Sequence, residues 1–202
     1  PNTTEGSHVV NALSGDKYTV QDNMFAVPTG YTFGGWYADS TKYEVKSEHT
    51  LISDLHLYAK WNPKPYTVTW KNSDDAVDSL DTQAVNYNGY PTKDPRDKAS
   101  KASDAQYTYE FAGWKLAGTA DTALVDPTTI AVVKDVTYIA VFKPITRQYT
   151  VTYYIDGKKQ GDEETYNYGT RVKIRDNAVK EGHTFSGWKI GNEAAKEFNI
   201  KS

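Results

Sequence analysis

Apolar and polar residues alternate with a period of two along several short runs, and that period predicts strands with one buried face. The clearest run has Leu55, Leu57, Ala59 and Trp61 alternating with His56, Tyr58 and Lys60. Val136-Thr137-Tyr138-Ile139-Ala140-Val141-Phe142 restates it, with Ala140 falling on Ala59. Tyr66-Thr67-Val68-Thr69-Trp70 and Tyr149-Thr150-Val151-Thr152-Tyr153-Tyr154 form a second matched pair, rich in β-branched and aromatic residues. Further strands are expected at His8-Val9-Val10, at Lys17-Tyr18-Thr19-Val20 after a turn at Ser14-Gly15-Asp16, at residues 82–87 before Asn88-Gly89, and at Arg171-Val172-Lys173-Ile174. Asp156-Gly157 has the composition of a tight hairpin turn. Helical signal is slight. Residues 92–105 read as a polar loop or as one short helix from Asp97 to Asp104, and Asp126-Pro127-Thr128 as the start of a helical turn. The fold class predicted is mainly β (α+β).

A second, longer period lies over the first. Phe33-Gly34-Gly35-Trp36, Phe111-Ala112-Gly113-Trp114 and Phe185-Ser186-Gly187-Trp188 share one pattern, with Trp-to-Trp spacings of 78 and 74 residues. Strict alternation would send Phe and Trp to opposite faces. The Gly between them predicts a bulge that turns both rings towards one core. Phe33, Gly35, Trp36, Phe111, Gly113, Trp114, Phe185, Gly187 and Trp188 are therefore expected to be the packing anchor of each unit. The sharper alternative is that these Trp rings stack a ligand.

Repetition at this spacing predicts tandem small domains, each of modest core size. Asn62-Pro63-Lys64-Pro65 and Lys143-Pro144-Ile145-Thr146-Arg147-Gln148 are the expected connectors, short and stiffened by proline. The units expected are 1–62, 66–143 and 148–202, the first incomplete at its N-terminal side and the last at its C-terminal side. Phe198-Asn199-Ile200-Lys201-Ser202 matches Tyr43-Glu44-Val45-Lys46-Ser47, but the closing strand that follows in the first unit has no counterpart. Together with a first residue that is Pro and not Met, this reads as a window on a longer array.

Composition narrows the functions. Lys and Arg number 23 against 26 acidic residues, a net charge of −3 without a basic block, so neither nucleic acid nor an anionic membrane is an expected partner. No apolar run has the length of a membrane span. Cysteine is absent, which excludes disulfides and thiolate metal sites. His8, His49, His56 and His183 are not at metal-ligand spacing. Asn72-Ser73-Asp74-Asp75 with Asp78 and Asp81 lacks the central Gly and closing Glu of a calcium loop, and reads as a solvated acidic turn. Phosphate loops and nucleophile elbows are likewise missing. Asn2-Thr3-Thr4 fits a glycosylation sequon, a pattern short enough to occur by chance. No enzyme and no cofactor are expected.

Taken together, Tyr66 to Trp70, Tyr168-Gly169, Gly30-Tyr31-Thr32-Phe33-Gly34-Gly35-Trp36-Tyr37 and Leu55 to Trp61 resemble the Listeria–Bacteroides repeat, the type found as internalin B repeats. The resemblance implies small β-grasp-like repeat domains in an elongated array on secreted or cell-wall-anchored bacterial proteins. It implies an extracellular stalk or adhesion segment, whose partners are the neighbouring repeats of its own chain. The alternative is a module that recognises a host protein or glycan through a sheet edge or exposed aromatics. Tyr37, Tyr58 and Tyr154, which alternation puts off the core side, are its candidate contacts.

Overall fold

The computed structural model of the chain describes residues 8–119, 123–195 and 197–201. The lead at 1–7, with its sequon, lies outside them. Five strands come first: β1 (Lys17–Thr19), β2 (Tyr31–Ala38), β3 (Thr41–Tyr43), β4 (Glu48–Thr50) and β5 (Tyr58–Pro63). Then come β6 (Pro65–Lys71), β7 (Asp81–Asn86), β8 (Tyr107–Leu116) and β9 (Val136–Thr146). Short strands complete the chain: β10 (Gln148–Val151), β11 (Tyr154–Ile155), β12 (Lys158–Lys159), β13 (Glu164–Asn167), β14 (Arg171–Lys173), β15 (Trp188–Ile190), β16 (Glu193–Ala195) and β17 (Glu197–Asn199). The protein is mainly β, and the described residues contain no α-helix. Among the described residues a single 3-10 turn, Pro127–Thr129, begins where the Asp126-Pro127-Thr128 signal put it, capped by the Asp126 side chain, which accepts from the Thr128 N–H.

Two expectations change, and one left open is decided. His8-Val9-Val10 forms no strand, and Val9 and Val10 face solvent, since no partner strand covers them. Residues 97–104 take the loop alternative. One turn closes there, through Lys98 N–H to Pro95 O and Ala99 N–H to Arg96 O, and then the Ser100 N–H donates to the Asn72 side chain instead of continuing a helix. The run from Tyr149 to Tyr154 breaks into β10 and β11. The Asp156-Gly157 turn is as expected: both residues have positive φ, 50° and 74°, and they join β11 to β12.

The middle stretch has the fullest sheet, in the order β7-β6-β9-β8. β6 pairs antiparallel with β7 and parallel with β9, and β9 pairs antiparallel with β8. Alternation on these strands gathers Val68, Trp70, Val85, Trp114, Tyr138 and Ala140 into one core. Trp70 and Tyr138, both fully buried, stack with ring centroids 6.3 Å apart. The Tyr138 hydroxyl finds no hydrogen-bond partner among the described residues, and burial pushes its pKa up. An unmatched buried hydroxyl costs stability that an isosteric apolar ring does not. Tyr138→Phe is therefore expected to leave the urea midpoint unchanged or to raise stability by up to about 1 kcal/mol.

Around it lie smaller sheets. β3-β2-β5 forms one of three strands, and β1-β4, β10-β13, β11-β12, β14-β17 and β15-β16 pair two by two.

Candidate functional site

The three Phe-x-Gly-Trp segments share their ring geometry, but only the first two lie wholly in strands, since the third enters β15 only at Trp188. The ladder between β2 and β5 shifts register between Phe33 and Gly35, and that between β8 and β9 between Phe111 and Gly113. Gly35, Gly113 and Gly187 have φ of 117°, 149° and 126°, a region side chains rarely enter. In all three the Phe ring lies edge-on to its Trp, with centroids 5.2, 5.0 and 5.3 Å apart, and in the first two the bulge accounts for it. The closing strand puts an alanine opposite the Trp each time it is present: Ala59 opposite Trp36, and Ala140 opposite Trp114. These geometries leave the rings facing the protein, as packing anchors do. Trp36 and Trp114 are buried and Trp188 is half-buried.

Each indole N–H meets a different fate. Trp36 Nε1 donates to the Gln21 carbonyl at 2.9 Å, and Trp114 Nε1 to Asp94 Oδ1 at 3.0 Å. Trp188 Nε1 is buried without an acceptor among the described residues. Asp94 is held below the usual carboxylate range, first by the Arg96 guanidinium and also by the Trp114 indole, while partial burial opposes them. A depressed folded-state pKa gives stability above the unfolded value of 3.8 that is lost as pH falls through the folded one. Asp94→Asn is accordingly expected to make urea stability fall less steeply as pH drops below the unfolded value of 3.8, where the parent loses the contribution of the Asp94 carboxylate.

The chain passes from sheet to sheet through single residues. Pro63 and Pro144 are inside β5 and β9, opposite Tyr31 and Tyr109, so the expected connectors are largely strand. Only Lys64 separates β5 from β6, and only Arg147 separates β9 from β10. Both residues bond the same way. Lys64 N–H donates to Gly30 O and Lys64 O accepts from Tyr87 N–H, each at 2.8 Å. Arg147 N–H donates to Gln106 O at 2.8 Å, and its carbonyl accepts from Tyr168 N–H at 2.9 Å. One backbone residue thus completes a ladder on each side. The first junction adds an edge-on contact of Tyr31 with Tyr87 at 5.6 Å. At the second, the Tyr149 hydroxyl donates to Ala105 O and the Arg147 guanidinium donates to Asp104 O.

Of the candidate contact tyrosines, two come together and one does not. Tyr37 and Tyr58 are cross-strand partners on β2 and β5, and Lys42 of β3 flanks Tyr37 on its other side. Lys60 Nζ lies 5.1 Å from the Tyr37 ring centre, and Tyr58 is 68% exposed. Tyr154 is exposed on β11, in another sheet. Tyr90 is equally exposed and carried no alternation signal, since it follows the Asn88-Gly89 turn. The aromatic pair does not recur. The place of Tyr37 is taken by Lys115, one residue past Trp114, and its ammonium is 3.0 Å from Asp74. Asp81, in the stretch weighed for calcium, is bound by Lys93 and Lys98, which hold its carboxyl far below the usual range. No cluster of three His, Asp or Glu that would hold a metal ion occurs among the described residues.

Comparison with known proteins accords with the repeated anchor. The chain is 27% identical over 166 residues to a protein of Evansella cellulosilytica named, provisionally, a Gly-rich membrane protein, and 27% identical over 162 residues to a second one from that organism named a membrane protein. Each alignment covers 79% of this chain but only 17% and 22% of the relatives, so the chain spans about a fifth of their length. No helix among the described residues is long and apolar enough to cross a membrane. No solved structure matches. The profile of the Listeria-Bacteroides repeat domain matches residues 2–60 and 149–202, more than half of the sequence, and the chain therefore belongs to the Listeria-Bacteroides repeat family.

Proposed function

We propose that this chain is a non-catalytic spacer of a bacterial surface or secreted protein, working outside the cell as a stalk that can also serve adhesion. In this reading 1–62, 66–143 and 148–202 are β-grasp-like units in a row, each bearing on its neighbours. The observation that carries it is the repeated junction. Lys64 and Arg147 each complete a backbone ladder on both sides, so successive sheets are coupled by hydrogen bonds and not by a free linker. A stalk needs that coupling, because a connector without bonds lets its units tumble. The membrane-protein names of the relatives agree with a place at the cell surface.

Small-angle X-ray scattering with simultaneous molar mass tests the proposal. A single compact body of this length has a radius of gyration of about 16–17 Å. A clearly larger value at monomer mass is expected. A compact value at that mass would overturn the array.

A second reading, recognition of a host protein or glycan, is favoured by one feature, the pair of half-buried Tyr37 and exposed Tyr58 with Lys42 and Lys60 beside it. Its occurrence on a single unit argues against repeated, multivalent capture. If the pair binds, Tyr37→Ser with Tyr58→Ser weakens retention on a protein or glycan array; if the chain is a stalk alone, retention is the same before and after.

A further inference from the structure

A cavity of about 530 Å³ lies beside Ile139 to Phe142 of β9, within the middle sheet. We infer that it is a slot for an extended acidic peptide of a partner protein, which joins the sheet as a further strand where β6 leaves off. β6 pairs with β9 only as far as Lys71 opposite Ile139, whereas β8 follows the other side of β9 to Thr146. Beyond Ile139 no described residue pairs with the β6 side of β9, in a strand or through a lone backbone hydrogen bond. Both surfaces of the sheet border the cavity. Ala140 and Phe142 belong to the core side, alternation puts Ile139 and Val141 on the other, and all four line it. A space that touches both faces of a strand lies along its edge. The unpaired N–H and C=O groups of such an edge are the template on which a strand adds.

The walls rise on either side of that edge. Ser100 and Lys101 stand over the core side, with the Lys101 ammonium 4.2 Å from the centre of the Tyr109 ring, and Tyr109 shares a face with Phe111. Lys115 follows the core residue Trp114 and so takes the opposite face, where its ammonium meets Asp74 at 3.0 Å. The turn after β6 closes the end. Ser100 N–H donates to Asn72 Oδ1 at 3.0 Å, and this bond with the Lys115–Asp74 pair ties the turn to both walls, leaving the β9 edge uncovered. The stretch carrying Ser100 and Lys101 is longer than its counterparts before Trp36 and Trp188, so this wall is particular to the middle unit. Charge selects the occupant. Lys115 and Asp74 neutralise each other, while Lys101 has no carboxylate within ion-pair distance among the described residues. The Asp104 carboxylate, which feels Lys101, is already engaged by the N–H groups of Gln106 and Tyr107 and the Tyr109 hydroxyl. A carboxylate on the core side of the added strand would meet Lys101, and an apolar β-branched residue on its other side would cover Ile139 and Val141. The slot lies inside one unit and does not depend on the stalk reading.

The probe is the capped peptide acetyl-Thr-Glu-Val-Glu-Val-Glu-Thr-amide, added to the 202-residue chain and followed by amide hydrogen exchange and titration calorimetry. Slowing of about tenfold is expected at those amides of 140–142 that face away from β8. Lys101→Glu, at an exposed side chain, should weaken binding about tenfold while exchange in the rest of the sheet stays as in the parent. A peptide with Pro in place of the middle Glu should give no protection, since it lacks a ladder donor. No protection at saturating peptide, equal binding of a peptide with Lys for every Glu, or unchanged affinity in Lys101→Glu would overturn the proposal. Equal binding of the proline peptide, or displacement by an equal concentration of glutarate, would also overturn it, because the site would then be a patch for any carboxylate. So would a concentration-dependent dimer that protects the same amides without peptide, since the occupant would then be a second copy.

Discussion

Trp114→Ala is expected to remove most of the stability of the β7-β6-β9-β8 sheet, at a cost of about 3–5 kcal/mol. The indole is 2% exposed, touches Phe111 edge-on and anchors Asp94 through Nε1. Truncation leaves a cavity walled in part by β6 and β9, each laddered on both sides, so collapse around it is limited. Stabilities of small domains are themselves only about 5–15 kcal/mol, and a sheet of this size is near the lower end. Urea unfolding followed by far-ultraviolet circular dichroism should therefore show a separate early transition in the variant. Trp188→Ala provides the contrast. Its ring is half-buried, and less than half the cost is expected. Equal losses from the two substitutions would mean that the motif, and not its enclosure, sets the energy.

Gly30→Val should uncouple the first junction while leaving the two sheets that flank it folded. Gly30 has φ of 80°, and a Cβ there would lie 2.3 Å from ring carbons of Tyr87. Backbone strain and overpacking together cost on the order of 3 kcal/mol. The cheapest relief is to move the Tyr87 ring out, which also separates Tyr31 from it and draws Gly30 O away from Lys64 N–H. Amide exchange at Lys64 and Tyr87 should then rise towards that of open chain, with the β6–β9 ladder still protected. Unchanged exchange at those two amides would show that the hand-over does not depend on close approach at Gly30. Gly15, which meets nothing within 4 Å of a built Cβ, is a control: its φ is also positive, so Gly15→Ala strains the backbone without a collision.

How far the sequence could be read depended on the range of the interaction. Strands whose partners are local or whose two faces differ, such as β6, β7 and β8, were written in alternation, and the Gly113 bulge was written in the only residue that tolerates its φ. The parallel pairing of Val68 with Val136 was not legible, because it joins residues far apart in the chain and no turn chemistry marks it. Proline misled at the connectors. Pro63 and Pro144 lack an N–H and read as breaks, yet β5 is an edge strand and Pro144 is past the stretch where β9 pairs with β6, so neither position owes a bond on its outer side. Lys64 and Arg147 look like ordinary linker cations, since a role played by backbone N–H and C=O leaves no trace in side-chain type. Among the contact candidates, alternation puts Tyr37 and Tyr58 off the core side; Tyr58 is exposed and Tyr37 half-buried, and the cation over Tyr37 and its cross-strand neighbours appear only once register is known.

The parallel register of β6 and β9 has a mechanical consequence. The chain enters the middle sheet at the start of β6 and leaves it at the end of β9, and these two strands are bonded side by side from Val68 to Lys71 and from Val136 to Ile139. Tension along the polypeptide pulls them past one another in opposite directions. The ladder is then loaded in shear, its hydrogen bonds sharing the force together, whereas a hairpin pulled at its open end gives way one bond after another. A chain under traction at a cell surface would fail last where its entry and exit strands lie parallel.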